Sequence, residues 1–305
     1  MTTIVWWDGG LVPASEACLP VASRGVQHGL GCYETLRAYD AHVFRLAAHL
    51  ARLESSAAAL SLVAPAADLV ERAIAATIEA NHLTEAAVRV SLFATRAVGA
   101  PPLGVREGTA APAQPTESCA LHIAAMPVAD WTTMREVGAV AITSRDVRRD
   151  PLSPLSGVKI TGAPASLLAR AEAARAGADE ALLLTVTGLL SEFSAANIFV
   201  VAHGALLTPS LASGCLGGVT RTVVLDAARE LGRVVEEGEY APAIFDDATE
   251  CFMTGSVREV VPIVRIDGRE IGRGKRGPVT CELQIAYAAR VAEETDAAPR
   301  RSDAP

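Results

Sequence analysis

Of the 27 basic residues in the chain, only Lys159 and Lys275 are lysines. Lys159 stands in PLSGVKITGAP, apolar before the lysine and glycine-rich after it, a setting that partly desolvates an ε-amine. Desolvation favours the neutral amine, the form that attacks a carbonyl carbon to make a Schiff base. A lysine with a buried stem and a wet head fits the same local sequence. Lys275, in GRGKRGP, reads as a surface loop residue. Thirty-three residues after Lys159 comes Glu192, in GLLSEFSAANIFVV. A carboxylate there could hold a protonated heteroaromatic nitrogen, or cap a turn.

Three segments suit an anion. GCLGGVTRTVVLDAARELG sets glycines just ahead of Val219 and Thr220 at a predicted helix start, where unpaired N–H groups and the helix dipole attract negative charge. Threonine is also an ordinary N-cap. TGSVRE offers Gly255 and Ser256 in a strand-to-loop turn of the same kind. Arg52, in HLARLESSA, follows His49 by three residues, and its spacing aims it away from the stripe made by Leu50 and Leu53. A planar guanidinium fork matches phosphate, although a solvated helix arginine fits the spacing as well.

Holding such groups takes a sizeable scaffold. The 305 residues, half of them hydrophobic and only 4% aromatic, suffice for two domains of about 150 residues. The net charge of −8, with no dense basic run, sets nucleic acid aside as a partner. The six cysteines lie far apart, without a C-x-x-C pair or a histidine at ligand spacing, so they read as reduced and no metal site is expected. MTTIVWWDGG lacks the flanks of a signal peptide and no apolar run approaches about 18 residues, which predicts a cytoplasmic chain with no membrane partner.

The patterning predicts an N-terminal hairpin around Asp8-Gly9-Gly10 and a second β-unit from CYETLRAY and HVFRL. Helices are expected over Ala47–Leu60 and after Pro65, then strands AVRVSLFA and ALHIAAM flanking the Pro- and Gly-rich loop Gly99–Ser118. Beyond a connection at 127–135 come strand VGAVAITS, helix APASLLARAEAARAG, strands EALLLTVTG, NIFVVAHG and ALLTPS, a helix over Thr220–Leu231, and strands CFMTGS and VVPIVRI. Mixed strands and helices in both halves predict an α+β chain, with a domain over 1–126, a larger one over 136–295, and a disordered tail over 296–305.

Taken in order, HGLGCYETLRAY, FRLAAHLARLESSA, SPLSGVK, GADEALLLTVTGLLSEFSAANIFVV, LLTPSLASGCLGGVTR and CFMTGSVREVVPIVRIDG resemble the class IV pyridoxal-phosphate enzymes. That family includes branched-chain and D-amino acid aminotransferases and aminodeoxychorismate lyases. The resemblance implies a two-domain fold with pyridoxal 5′-phosphate in the cleft, in a homodimer whose neighbouring subunit closes the pocket. It implies that Lys159 forms the internal aldimine and shuttles a proton between Cα and C4′, that Glu192 pairs with the pyridinium nitrogen, and that Arg52, Val219, Thr220 and Ser256 hold the phosphate. Tyr33, His28 and Arg148 match positions around the substrate.

The chain also departs from the pattern. Relatives commonly carry Asn and then Tyr, Arg or Leu at the third and fourth positions after the lysine, where Gly162 and Ala163 stand here, followed by Pro164. The Arg-x-His pair that binds substrate carboxylate in the D-amino acid enzymes is missing from TRAVGAPPLG. YETLR and MTGSVREVVPIVRI lean toward the lyase or D-type branches, whereas GREIGRGKRGPVT resembles aminotransferase tails. Transfer of an amino group between an amino acid and a 2-oxo acid is the leading expectation. Release of 4-aminobenzoate and pyruvate from aminodeoxychorismate is the second, and a cofactor-binding protein without turnover the third.

Overall fold

The computed structural model describes residues 2–96 and 118–296. The expected loop Gly99–Ser118, apart from Ser118, and the tail beyond Asp296 lie outside them. The chain divides into two units, one made of Met1–Val128, Val158–Gly162 and the residues from Glu294, the other of Ala129–Gly157 and Ala163–Glu293. The first change of unit falls inside the expected 127–135 connection, but the five residues around Lys159 belong with the N-terminal unit.

The first unit opens with strands β1 (Ile4–Trp7) and β2 (Gly10–Pro13), an antiparallel hairpin. Asp8 and Gly9 both take positive φ, at 40° and 117°, as a two-residue turn that follows the strands' twist requires. A short helix α1 (Arg24–Gln27) precedes β3 (Gly31–Tyr39) and β4 (His42–Val43). Helices α2 (Leu46–Ala59) and α3 (Ala67–Ala80) follow, then β5 (Ala86–Ala94) and β6 (Cys119–Pro127). The sheet order is β2-β1-β6-β5-β3-β4. Leu36, Val88, Val90, Leu92 and Ile123 form a core with Leu53 and Ala57 of α2 and Val70, Ile74 and Ile78 of α3. HVFRL does not continue as a strand: Arg45, with φ 55°, turns the chain into α2.

The second unit comprises α4 (Thr132–Val137), β7 (Ala139–Arg149), α5 (Pro164–Arg175), β8 (Glu180–Thr185), β9 (Leu190–Phe193), β10 (Asn197–Ala202) and β11 (Ala205–Pro209). There follow α6 (Val219–Glu230), β12 (Val235–Gly238), β13 (Ala248–Gly255), β14 (Glu259–Ile266), β15 (Arg269–Glu270) and α7 (Pro278–Asp296). The sheet runs β12-β11-β10-β13-β14-β7-β8-β9, with β15 beside β14. β7–β8, β14–β7 and β11–β12 pair in parallel and the other ladders are antiparallel, so the unit is α+β as expected. β8 and β10 are buried along their whole length, which is why EALLLT and NIFVVA read as near-continuous apolar runs rather than alternating ones. Further details differ from expectation: SEF lies in strand β9, α6 starts at Val219 rather than Thr220, and α4, β12, β15 and α7 are additional to the expected elements, α7 continuing through the first residue of the expected tail.

Candidate active site

In the first unit the segment around Lys159 lies along β3 like an added strand. The Tyr33 N–H donates to the Lys159 carbonyl at 2.9 Å, the Thr161 N–H donates to the Gly31 carbonyl at 2.9 Å, and Ile160 bridges Cys32 in antiparallel fashion. From the other side the Lys159 N–H reaches Ser56 Oγ on α2 at 3.3 Å. Both backbone groups of the lysine are therefore fixed, and its side chain, half-buried, carries the amine over the Tyr33 ring with Nζ 4.6 Å from the centroid. The Arg89 guanidinium stands over the same ring at 3.7 Å. Such contacts contribute about 0.5–1 kcal/mol each and fix the ring more than they stabilise the fold.

Arg52 is not a solvated helix arginine. Its Nε and Nη2 donate to Oε1 and Oε2 of Glu34, both at 2.7 Å, in a bidentate pair. Glu34 occupies an inward position of β3 between Cys32 and Leu36 and is fully buried. His49, one turn before Arg52 and also buried, meets Glu34 Oε2 through Nδ1 at 2.7 Å. Burial works to raise the Glu34 carboxyl, yet hydrogen bonds from Arg52 and His49 outweigh it and hold the group below its ordinary 4.5. Burial also pushes His49 below its ordinary 6.5, against the pull of Glu34, and the charges of Arg52 and Lys159 add to that push. A neutral imidazole facing an ionised carboxylate must donate, so Nδ1 carries the proton.

In the second unit Glu192 is buried on β9, with Oε1 2.7 Å from Arg149 Nη2 and Oε2 accepting the Leu216 N–H at 3.0 Å. The Leu216 carbonyl accepts from Asn197 Nδ2 at 2.7 Å, so this residue's backbone is held at both ends. It leads through Gly217 and Gly218 into α6, whose first residues are Val219 and Thr220. The N-cap is Gly218, which offers no side-chain cap, and Thr220 is the second residue of the helix rather than its N-cap. A Cβ on Gly218 would stand 2.0 Å from Asn197 Oδ1, which explains the glycine. Thr254, paired with Asn197 across β13 and β10, shares its sheet face and is buried, with no hydrogen-bond partner for Oγ1 among the described residues. Ser256 is half-buried in the turn between β13 and β14. An uncapped helix start beside an unsatisfied buried hydroxyl fits an anion that brings acceptors, and a buried carboxylate already anchored by a cation and an N–H fits a protonated ring nitrogen. The donors of the second unit suit the phosphate and ring of pyridoxal phosphate, and the Lys159 amine of the first unit is of the kind that condenses with an aldehyde.

Two expected positions, His28 and Arg148, are exposed. His28 is the exposed C-cap of α1. Arg148 is exposed and folds Nη1 onto the carbonyls of Ser144 and Val147, whereas its neighbour Arg149 reaches Glu192. Sequence reasoning missed Glu34, Ser56, Arg149, Asn197 and Thr254. Glu34 had a readable signal, a charge in the apolar phase of an alternating strand. Gly162 of the Gly-Ala-Pro departure has a packing reason, since a Cβ there would stand 2.9 Å from the carbonyl oxygen of Gly29, itself at φ 62°. Pro164 opens α5, where its fixed φ and missing N–H cost nothing.

Comparison with known proteins agrees with this donor set. Residues 31–266 match the model of the amino-transferase class IV family. A branched-chain-amino-acid aminotransferase of Pseudomonas aeruginosa is 34% identical over 308 residues, spanning 96% of this chain and 94% of its own. The branched-chain amino acid aminotransferase structure from Escherichia coli superposes with a TM-score of 0.85 at 32% identity, covering 98% of this chain and 97% of that one. A T.th. branched-chain amino acid aminotransferase with pyridoxamine 5′-phosphate superposes at 0.86 with 31% identity and 97% of each chain. The lean of YETLR toward lyase or D-type branches is not echoed in these relatives. With its donors and its relatives in accord, the chain belongs to the class IV aminotransferases, enzymes that transfer an amino group between an amino acid and a 2-oxo acid with pyridoxal phosphate as cofactor.

Proposed function

We propose that the amino donor or acceptor pair includes a branched-chain amino acid and its 2-oxo acid, and that Lys159 is the catalytic amine. The observation that carries the reading is the fixing of Lys159 at both backbone groups, which leaves its amine as the moving part. When bound, pyridoxal phosphate supplies an electron sink for the electrons released at the substrate Cα. Lys159 holds the cofactor at rest and then takes the Cα proton and returns it as general base and acid. Glu192, kept in place by Arg149 and the Leu216 N–H, holds a proton on the heteroaromatic nitrogen. Arg52, the Val219 and Thr220 end of α6, and Ser256 bind the phosphate, and Thr254 Oγ1 offers a further donor. Tyr33 borders the amine, and Arg89 over its ring keeps that border rigid. The reading includes a homodimer and a cytoplasmic setting; light scattering on a sizing column checks the first.

The test is the visible spectrum of the purified protein during separate additions of L-leucine, L-glutamate, D-alanine and aminodeoxychorismate. Conversion of the yellow band by L-leucine, with regeneration by a 2-oxo acid, is the expected result. A band that resists every amino acid while aminodeoxychorismate yields 4-aminobenzoate would replace this reading with the lyase one.

A further inference from the structure

Glu34 of the first unit is tied to two side chains and lies outside the groups assigned above to the reaction. Glu34 sits at the floor of the sheet, fully buried, with both oxygens engaged: Oε1 by Arg52 Nε, Oε2 by Arg52 Nη2 and by His49 Nδ1. Arg52 and His49 come from one helix, three residues apart, and Ser56, one turn beyond Arg52, receives the Lys159 N–H. One helix face therefore carries the guanidinium, the histidine that braces its carboxylate, and the hydroxyl that ties the lysine. Burying a charged pair is costly and is compensated only when geometry and hydrogen bonding are complete. A hydrophobic residue at position 34 would continue the strand's alternation with no such cost, so the fold alone gives no reason for a carboxylate there.

We propose that Glu34 is a positioning residue for phosphate recognition: it fixes the guanidinium plane of Arg52, and His49 fixes Glu34. Arginine is long and rotamer-rich, so an arginine that is oriented before the anion arrives loses less entropy in binding it. The side-on pairing through Nε and Nη2 settles the plane of the fork, and the histidine removes the remaining freedom of the carboxylate. With Glu34 ionised, Arg52 cationic and His49 neutral, the trio is neutral overall. It therefore works through direction rather than through an excess of positive charge. This inference rests on the assignment of Arg52 to the phosphate made above.

The test compares affinities of the cofactor-free protein for pyridoxal phosphate and for pyridoxal, which lacks the phosphate, measured by calorimetry without turnover. Glu34→Gln keeps the shape but turns an NH2 toward the Arg52 donors. It is expected to weaken pyridoxal phosphate by about 10- to 100-fold, the range seen when outer groups that orient a binding residue are removed, while pyridoxal changes within about twofold. In an Arg52→Gln background the same change is expected to add nothing further. Equal losses for both ligands would mean a purely structural role and overturn the inference. If Arg52→Gln itself leaves the preference for the phosphorylated ligand intact, the assignment of Arg52 to the phosphate fails instead. Should Glu34→Gln not fold, His49 decides: His49→Ala is expected to lower the phosphate preference and His49→Gln, whose amide can donate to Glu34, to restore it. An unchanged preference in His49→Ala overturns the proposal.

Discussion

The two units hold their candidate groups in different ways. In the first, Glu34, His49 and Arg52 are organised by side chains on regular elements, β3 and α2, and each depends on its neighbours, while Lys159 is held by backbone pairing with β3 and by Ser56 Oγ. In the second, residues 216–220 and the turn after Gly255 carry the proposed anion site, and Glu192 is oriented in part by a backbone N–H. A side-chain network fails when one member is removed. A backbone-built site tolerates many side-chain changes but fails where added volume moves the main chain.

The largest effect expected is at the amine. Lys159→Ala should lower amino-group transfer by about 10³-fold or more, given what a positioned acid–base group contributes, with thermal unfolding close to the parent; substantial residual transfer would remove the lysine from the chemistry. Next comes Glu34→Ala, which leaves the part-buried Arg52 guanidinium and the buried His49 without their carboxylate and should cost about 2–3 kcal/mol in urea unfolding. In the second unit Gly218→Ala should cost about 1–3 kcal/mol because its Cβ would meet Asn197 Oδ1. Gly217→Ala, whose nearest neighbour would be Leu211 at 3.8 Å, should change stability by no more than about 0.5 kcal/mol. Equal costs at the two glycines would dissolve the contrast between the units.

The smallest effect is in the pH profile. His49 binds its proton less readily folded than unfolded, so between its ordinary 6.5 and its lower folded value the unfolded chain holds more protons. Stability should therefore fall as pH drops below 6.5, by at most about 1.4 kcal/mol per pH unit from this one group. Glu34 adds a loss of the same sign below 4.5, its folded value being lower still. Melts of the parent and His49→Gln between pH 7 and 5 check this: the variant should lose the His49 slope.

Much of the architecture was legible because local pattern and tertiary role agree. CYETLRAY alternates, and ADLVERAIAATIEA and the 46–59 stretch carry apolar residues at helical spacing onto the sheet. Lys159, Glu192 and the α6 start stood out by type and setting. What escaped depends on side chains that meet only after folding. Spacing aimed Arg52 away from Leu50 and Leu53, and that direction leads to Glu34 rather than to solvent. Arg148 and Arg149 lie next to each other on β7, after a shift of its register beside β8, and it is Arg149 that reaches Glu192. The strand at SEF is four residues long and wholly buried, too short to show a period.

The pairing of residues 159–161 with β3 makes the lysine segment a ruler as well as a tether. Two backbone hydrogen bonds fix the register of that pairing, so removing or adding one residue there would put another residue in the place of Lys159 beside Tyr33 while every residue type stayed the same. Composition in this stretch can drift, within the space that Gly29 leaves for Gly162, but its length cannot. The proposed reactive amine is thus specified by counting as much as by chemistry.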